Sequence, residues 1–175
     1  MTGVTVRAAT IADIPAIARI YGHAVTSGTA SFELEAPDTA EMERRFRAVT
    51  GGGYPYLVAE RDGAVLGYAY VGQYRPRPAY RWSVENSIYV DPGAKRGGVG
   101  RLLLAALIEA ATARGYRQMI AVIGDSGQSA SIGLHRAMGF TFSGTIHSVG
   151  FKNGRWLDSV IMQLSLGEGD TTAPR

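Results

Sequence analysis

The residue types that carry the clearest chemistry stand together in Lys95-Arg96-Gly97-Gly98-Val99-Gly100-Arg101. This segment follows the apolar run Ile88-Tyr89-Val90 and opens onto another, Leu102-Leu103-Leu104. The pattern predicts a strand, a basic glycine-rich turn and the start of a helix. A helix start leaves backbone N–H groups without intrahelical partners, and those groups together with the helix dipole favour an anion. Glycine lets a backbone approach a phosphate where a Cβ would clash, and Lys95, Arg96 and Arg101 add positive charge. The functional reading is a pyrophosphate cradle; the plain alternative is a glycine-rich connection between strand and helix. Leu103 stands where the third glycine of a dinucleotide fingerprint would fall, and no Gly-Lys-Ser/Thr follows as in a P-loop. A different phosphate carrier is therefore to be considered, and coenzyme A is one.

The absence of cysteine rules out disulfides, thiolate metal sites and a cysteine nucleophile. The three histidines are scattered without metal-ligand spacing, so no metal is expected. The 175 residues, 46% hydrophobic and 19% charged, suit one domain with a substantial core. A net charge of +3 is a small, spread excess and implies neither nucleic acid nor a membrane surface as partner. The segment 1–7 has no signal-peptide pattern, and the longest apolar stretch, Leu102 to Ala111, is short and interrupted by Glu109. A cytoplasmic protein is the expectation.

Hydrophobic periodicity and turn residues predict the elements that must position the turn. A strand at Val4–Arg7 leads to a helix capped by Thr10 and Asp13, with Ile14, Ile17, Tyr21 and Val25 on one face. A second helix starts at Asp38 or Thr39 and ends at Gly51-Gly52-Gly53. Strands at 54–60 and 64–73 form a hairpin around Arg61-Asp62-Gly63. A loop at 74–80 precedes a strand at 81–90, and the helix after the glycine turn runs to Arg114. A strand at 118–123, a short helix at 129–138 and strands at 141–149 and 157–166 complete the order β-α-α-β-β-β-α-β-α-β-β. This is an α/β chain with a mixed (α+β) sheet, one domain over residues 1–166 and a flexible tail over 167–175.

Element order and glycine turn together resemble the GCN5-related N-acetyltransferase (GNAT) superfamily, whose turn is Arg/Gln-x-x-Gly-x-Gly/Ala; here Lys95 takes the first position. More narrowly, six blocks in order are similar to the phosphinothricin and methionine sulfoximine N-acetyltransferases: Thr29–Glu33, Tyr54–Glu60, Ser83–Val90, Ala121–Gly124, Leu134–Phe140 and Gly150–Asp158.

The resemblance implies acetyl-CoA as co-substrate, a small amino acid as acceptor and a homodimer. It implies coenzyme A contacts along Ile88, Tyr89 and Val90, through Lys95, Arg96, Gly97, Gly98, Val99, Gly100 and Arg101, and at Gln128, where the family usually has Asn. The family often splays two strands at a bulge here, and the Val90 N–H becomes the candidate donor to the thioester carbonyl. Glu85 becomes the candidate base, acting through water; the alternative is an exposed glutamate or one paired with Arg81. His135 stands where a thiolate-protonating acid is found, with a hydrogen-bonded helix histidine as the alternative. Phe32, Glu33, Tyr74, Arg75, Val84, Glu85 and Lys152 are the acceptor-site candidates, Arg75 for an anionic group. Trp156 is expected in the core or on a dimer surface. Two competing functions stay open: the same fold acting on another amine (a peptide N-terminus, a polyamine or an aminoglycoside), and a non-catalytic acyl-CoA-binding module.

Overall fold

The computed structural model describes residues 3–174. Met1, Thr2 and Arg175, which the expected domain and tail boundaries include, lie outside the described residues. The elements are β1 (Thr5–Ala8), α1 (Ile14–Ser27), α2 (Thr39–Gly51), β2 (Tyr56–Arg61), β3 (Ala64–Gln73), β4 (Ser83–Val90), α3 (Val99–Ala113), β5 (Gln118–Gly124), α4 (Ser129–Ala137), β6 (Thr141–Lys152) and β7 (Arg155–Ser165). They form one seven-stranded sheet of order β1-β2-β3-β4-β5-β7-β6, antiparallel throughout except where β4 meets β5.

Strand alternation divides the core in two. On one face Ala59, Ala69, Val71, Val84, Met119, Ala121 and Ile123 pack against Val99, Leu103, Leu104, Leu107 and Ala111 of α3. On the other, Tyr56, Val58 and Tyr68 pack against Ile14, Ile17, Ile20, Tyr21 and Val25 of α1 and Met42 and Phe46 of α2. The entry to α1 is held as the Thr10/Asp13 spacing predicts: Asp13 accepts from the Thr10 N–H at 2.7 Å, and Arg7 adds a bidentate ion pair.

Several boundaries differ from expectation by two residues or more: β7 starts at Arg155, and β2 starts at Tyr56, after Pro55. β4 starts at Ser83, because Pro78–Tyr80 form a 3-10 turn just before it. β6 runs on to Lys152, carrying register irregularities at Phe142/Gly144 and Ile146/Gly150 that period-2 counting cannot follow. In the C-terminal segment, Arg117 donates to the Gly169 carbonyl at 3.2 Å and to Glu168 and Thr172.

The feature that positions the site is a fork. β4 and β5 pair only from Ser83↔Gln118 to Asn86↔Ala121. Beyond that, β4 stays with β3 as far as Val90↔Gly67, and β5 stays with β7 as far as Gly124↔Ser159. A wedge opens between Ser87–Val90 and Val122–Gly124. The splay was expected at a bulge; the β3–β4 register is in fact continuous, and divergence alone opens the sheet.

Candidate active site

At the mouth of the wedge, the turn after β4 enters α3 through Gly98, whose φ of 74° is left-handed and suits glycine. Gly98 has no side chain to cap the helix, so the first-turn N–H groups of Val99 and Gly100 face outward uncapped. Lys95, Arg96 and Arg101 are exposed, and among the described residues none joins an ion pair. An uncapped helix start beside three free cations fits a pyrophosphate. Gly100 has a different reason to be glycine. A Cβ there would stand 3.2 Å from Leu134 Cδ2, so it lets α4 pack closely on α3.

The walls of the wedge carry backbone donors. The Asp91 N–H donates to the Leu66 carbonyl at 2.8 Å, and hydrogen-bonded pairs alternate along an antiparallel ladder. Glu85, Ser87 and Tyr89 therefore turn their amides to β3, while Ile88 and Val90 turn theirs into the wedge. Of the three residues expected along coenzyme A, Ile88 and Val90 offer main-chain groups and Tyr89 does not.

The narrow end of the wedge is lined by Asn86, Ser87, Ile123, Gly124, Gln128, Ser131 and His135. His135 is 4% exposed. Its Nδ1 lies 2.8 Å from the Ser131 carbonyl and its Nε2 3.2 Å from the Asn86 side-chain oxygen. Burial lowers its pKa, against a smaller opposing effect of the Ser131 hydrogen bond, which favours neutral imidazole. Gln128 lines the wedge, but its amide donates to Thr29 Oγ1 at 3.0 Å.

Glu85 points to the opposite face of the sheet from His135, since side chains alternate along β4. It is half-buried and, among the described residues, has neither an ion pair nor a side-chain hydrogen bond; Arg81 instead stacks on Trp82 at 5.3 Å. Burial raises the Glu85 pKa, offset in part by the charge of Arg75. Opposite it on β3 is Gly72, where an added Cβ would meet nothing within 4 Å, so space adjoins the carboxylate. Arg75 is exposed, its guanidinium 5.2 Å above the Tyr74 ring, and Tyr74 meets Tyr80 edge-on.

Phe32 closes the same face from the other side. A Cβ on Gly124 would stand 2.7 Å from its ring, and one on Gly150 would stand 2.5 Å away, so the ring lies against both backbones. Three acceptor-site expectations have other engagements. Val84 is fully buried in the α3-side core, and its side chain does not reach the Glu85 face. The Lys152 ammonium is buried and donates to the Val25 and Ser31 carbonyls, each at 2.7 Å; it ties α1 and the 28–33 loop to β6. Glu33 accepts from Tyr21 and Arg45; burial would raise its pKa, but those two bonds together hold it low.

Sequence reasoning missed the groups that fasten this loop. Asp125 accepts from Thr29 at 2.8 Å, from Arg155 at 2.6 Å and from the Gly127 N–H at 3.0 Å, which keeps its carboxyl below the usual range. The signal was weak: an Asp-Ser-Gly turn looks like any loop. Asn86 was missed too, although a polar residue at an inward strand position after Val84 marks a buried polar site.

The acetyltransferase (GNAT) domain family model matches residues 6–161. The chain is 55% identical over 170 residues to a phosphinothricin N-acetyltransferase of Alcaligenes faecalis, covering 97% of this chain and 86% of that one. It is 47% identical to an L-methionine sulfoximine/L-methionine sulfone acetyltransferase of Pseudomonas paraeruginosa, covering 93% and 94%. A crystal structure of a phosphinothricin acetyltransferase from Sinorhizobium meliloti in complex with acetyl-CoA superposes with a TM-score of 0.96 at 48% identity, covering 99% and 94%.

Proposed function

The chain belongs to the GNAT acetyltransferases and is an acetyl-CoA-dependent N-acetyltransferase; we propose that its acceptor is the α-amine of a small amino acid with an anionic or strongly polar side-chain head, such as phosphinothricin, methionine sulfoximine or methionine sulfone. One observation carries this reading: the wedge runs from an uncapped, cationic helix start to a fork, and the half-buried Glu85 stands in the strand just before that fork.

Acetyl-CoA supplies the activated acetyl group. Its pyrophosphate suits the first-turn amides of α3 with Lys95, Arg96 and Arg101. The Val90 amide suits the arm, and the Ile88 amide, nearer the fork, suits the thioester carbonyl, where a donor stabilises developing negative charge. Glu85 takes a proton from the substrate ammonium through a water, which frees the amine to attack, and its burial-raised pKa brings it closer to neutral pH. Arg75 suits a carboxylate or phosphinate. The basic loop argues against a polyamine. A non-catalytic module would have no need of a desolvated, unpaired carboxylate at the end of its ligand cleft.

We also propose a homodimer. Phe142, Ile146, Val149 and Phe151 on the edge strand β6, with Trp156 on β7, are all more than half exposed, so Trp156 lies on the surface and not in the core. The requirement for acetyl-CoA supports a cytoplasmic location.

A thiol-release assay with acetyl-CoA tests the acceptor. Turnover confined to phosphinothricin, methionine sulfoximine and methionine sulfone is expected. Preference for spermidine, an aminoglycoside or a short peptide would overturn the acceptor assignment.

A further inference from the structure

Asn86 is the last residue of β4 paired to β5, so it stands where the wedge closes. It is 6% exposed, and its amide nitrogen is a buried side-chain polar atom with no hydrogen-bond partner among the described residues. An unmatched buried donor is costly and calls for an explanation. Its other amide atom faces His135, and the two residues restrict each other's protons. A carbonyl only accepts, so the bond to the Ser131 carbonyl places a hydrogen on His135 Nδ1. A neutral ring then offers a lone pair at Nε2, which needs a donor. The Asn86 amide turned over supplies one from its NH2 and leaves the second N–H free for the fork. A ring carrying both hydrogens donates from Nε2 to the Asn86 oxygen instead, and the amide N–H is left for the fork.

Among the described residues no charged side chain competes for this pair. β5 contributes Ala121, Val122 and Ile123 at the fork; Glu85 and Tyr89 of β4 point to the other face; Asp125 is engaged by Arg155 and Thr29; Arg136 of α4 and Arg101 of α3 are exposed. His135 otherwise packs edge-on to Phe140.

Some four residues of strand, about 13 Å, separate Val90 at the mouth from Asn86 at the fork. A linear ligand with its phosphates at the α3 start and its body along Ile88 and Val90 brings its far end to Asn86. We propose that the Asn86 amide receives the sulfur of acetyl-CoA and that His135 is a positioning residue acting on the sulfur through Asn86, not by contact. This rests on acetyl-CoA occupying the wedge. In the transfer, a C–N bond forms and the C–S bond breaks. The nitrogen loses two protons, the first to Glu85 through the water before attack and the second to solvent as the tetrahedral intermediate collapses, and the sulfur keeps the electron pair as thiolate. Neutral His135 accepts one Asn86 N–H at Nε2 and so holds the other toward that thiolate.

The chain has no cysteine, so ultraviolet thiolate absorbance reports bound coenzyme A directly. The experiment titrates coenzyme A bound to the protein, with desulfo-coenzyme A-loaded protein as blank. Asn86→Leu should make the bound thiol at least tenfold harder to ionise, while leaving the affinity for desulfo-coenzyme A unchanged. His135→Leu should do the same, and the double variant should lose no more than Asn86→Leu alone. Asn86→Asp keeps the shape but places an acceptor at the fork; it should suppress the thiolate further and guards against misfolding of the leucine variant. Equal thiol ionisation in Asn86→Leu and the parent would overturn the proposal, as would additive losses in the double variant or equal weakening of both ligands. Failure of the parent to bind either ligand would instead overturn the placement of acetyl-CoA in the wedge.

Discussion

Glu85 has the burial a working base needs and, among the described residues, lacks the partner that would hold it inert. Glu85→Gln should lower kcat by on the order of 10²–10⁴-fold while acetyl-CoA affinity, read by calorimetry, is unchanged. Its carboxyl is raised above the ordinary carboxylate value by burial. As the proposed base it would be inactive when protonated, so kcat/KM should climb with pH through that raised pKa and fall away below it. Arg75 holds the same pKa down in part. Arg75→Ala should therefore move the acid limb to higher pH and raise KM for an anionic acceptor by about tenfold, as expected where a charge-assisted contact is lost; an unmoved limb would separate Arg75 from the Glu85 environment. At this scale sequence legibility was uneven. Glu85 could be singled out by the Ser83-Val84-Glu85 resemblance, although strand alternation alone makes it look like a solvent-facing glutamate. The core burial of Val84 and the internal bonds of Lys152 could not be read, because a sequence does not show which face of a strand meets which layer. Lys152 is buried through long-range bonds to Val25 and Ser31 that no local pattern reports.

At the scale of elements, order and type were readable because hydrophobic periodicity, caps and glycine turns are local. The fork was not, because Ser87–Val90 has the same alternation whether β5 lies beside it or diverges. The glycines show the same division. Gly98 could be read from the turn, since the left-handed conformation there suits glycine. Gly150 could not, since its reason is the Phe32 ring, which arrives from a distant loop. That placement has a consequence. Gly150→Ala would bring a Cβ to 2.5 Å from the ring, and Phe32 must swing away. KM for the acceptor should rise several-fold with KM for acetyl-CoA unchanged, because α3 and the mouth of the wedge are untouched. A parallel rise in both would mean that Phe32 supports the whole cleft.

For the molecule as a whole, β6 is the edge next to the acceptor side, and it is apolar where edges are usually blunted by charge. The Trp156 ring, 64% exposed, packs edge-on against Phe151, itself 57% exposed, so the pair presents a broad face to solvent. A second copy is the occupant that would bury it in every molecule. Trp156→Glu places a charge at that contact without touching either core. Light scattering should report about twice the 18.6 kDa chain mass for the parent and the single mass for the variant. The same edge carries Gly150, against which Phe32 rests, and Lys152, which holds the 28–33 loop. Dissociation should therefore reach the acceptor pocket: the monomeric variant should keep its affinity for acetyl-CoA and lose affinity for the amino acid. A parent that already runs at the single mass would remove the dimer. A variant that dissociates with unchanged acceptor KM would show that the pocket is complete within one chain.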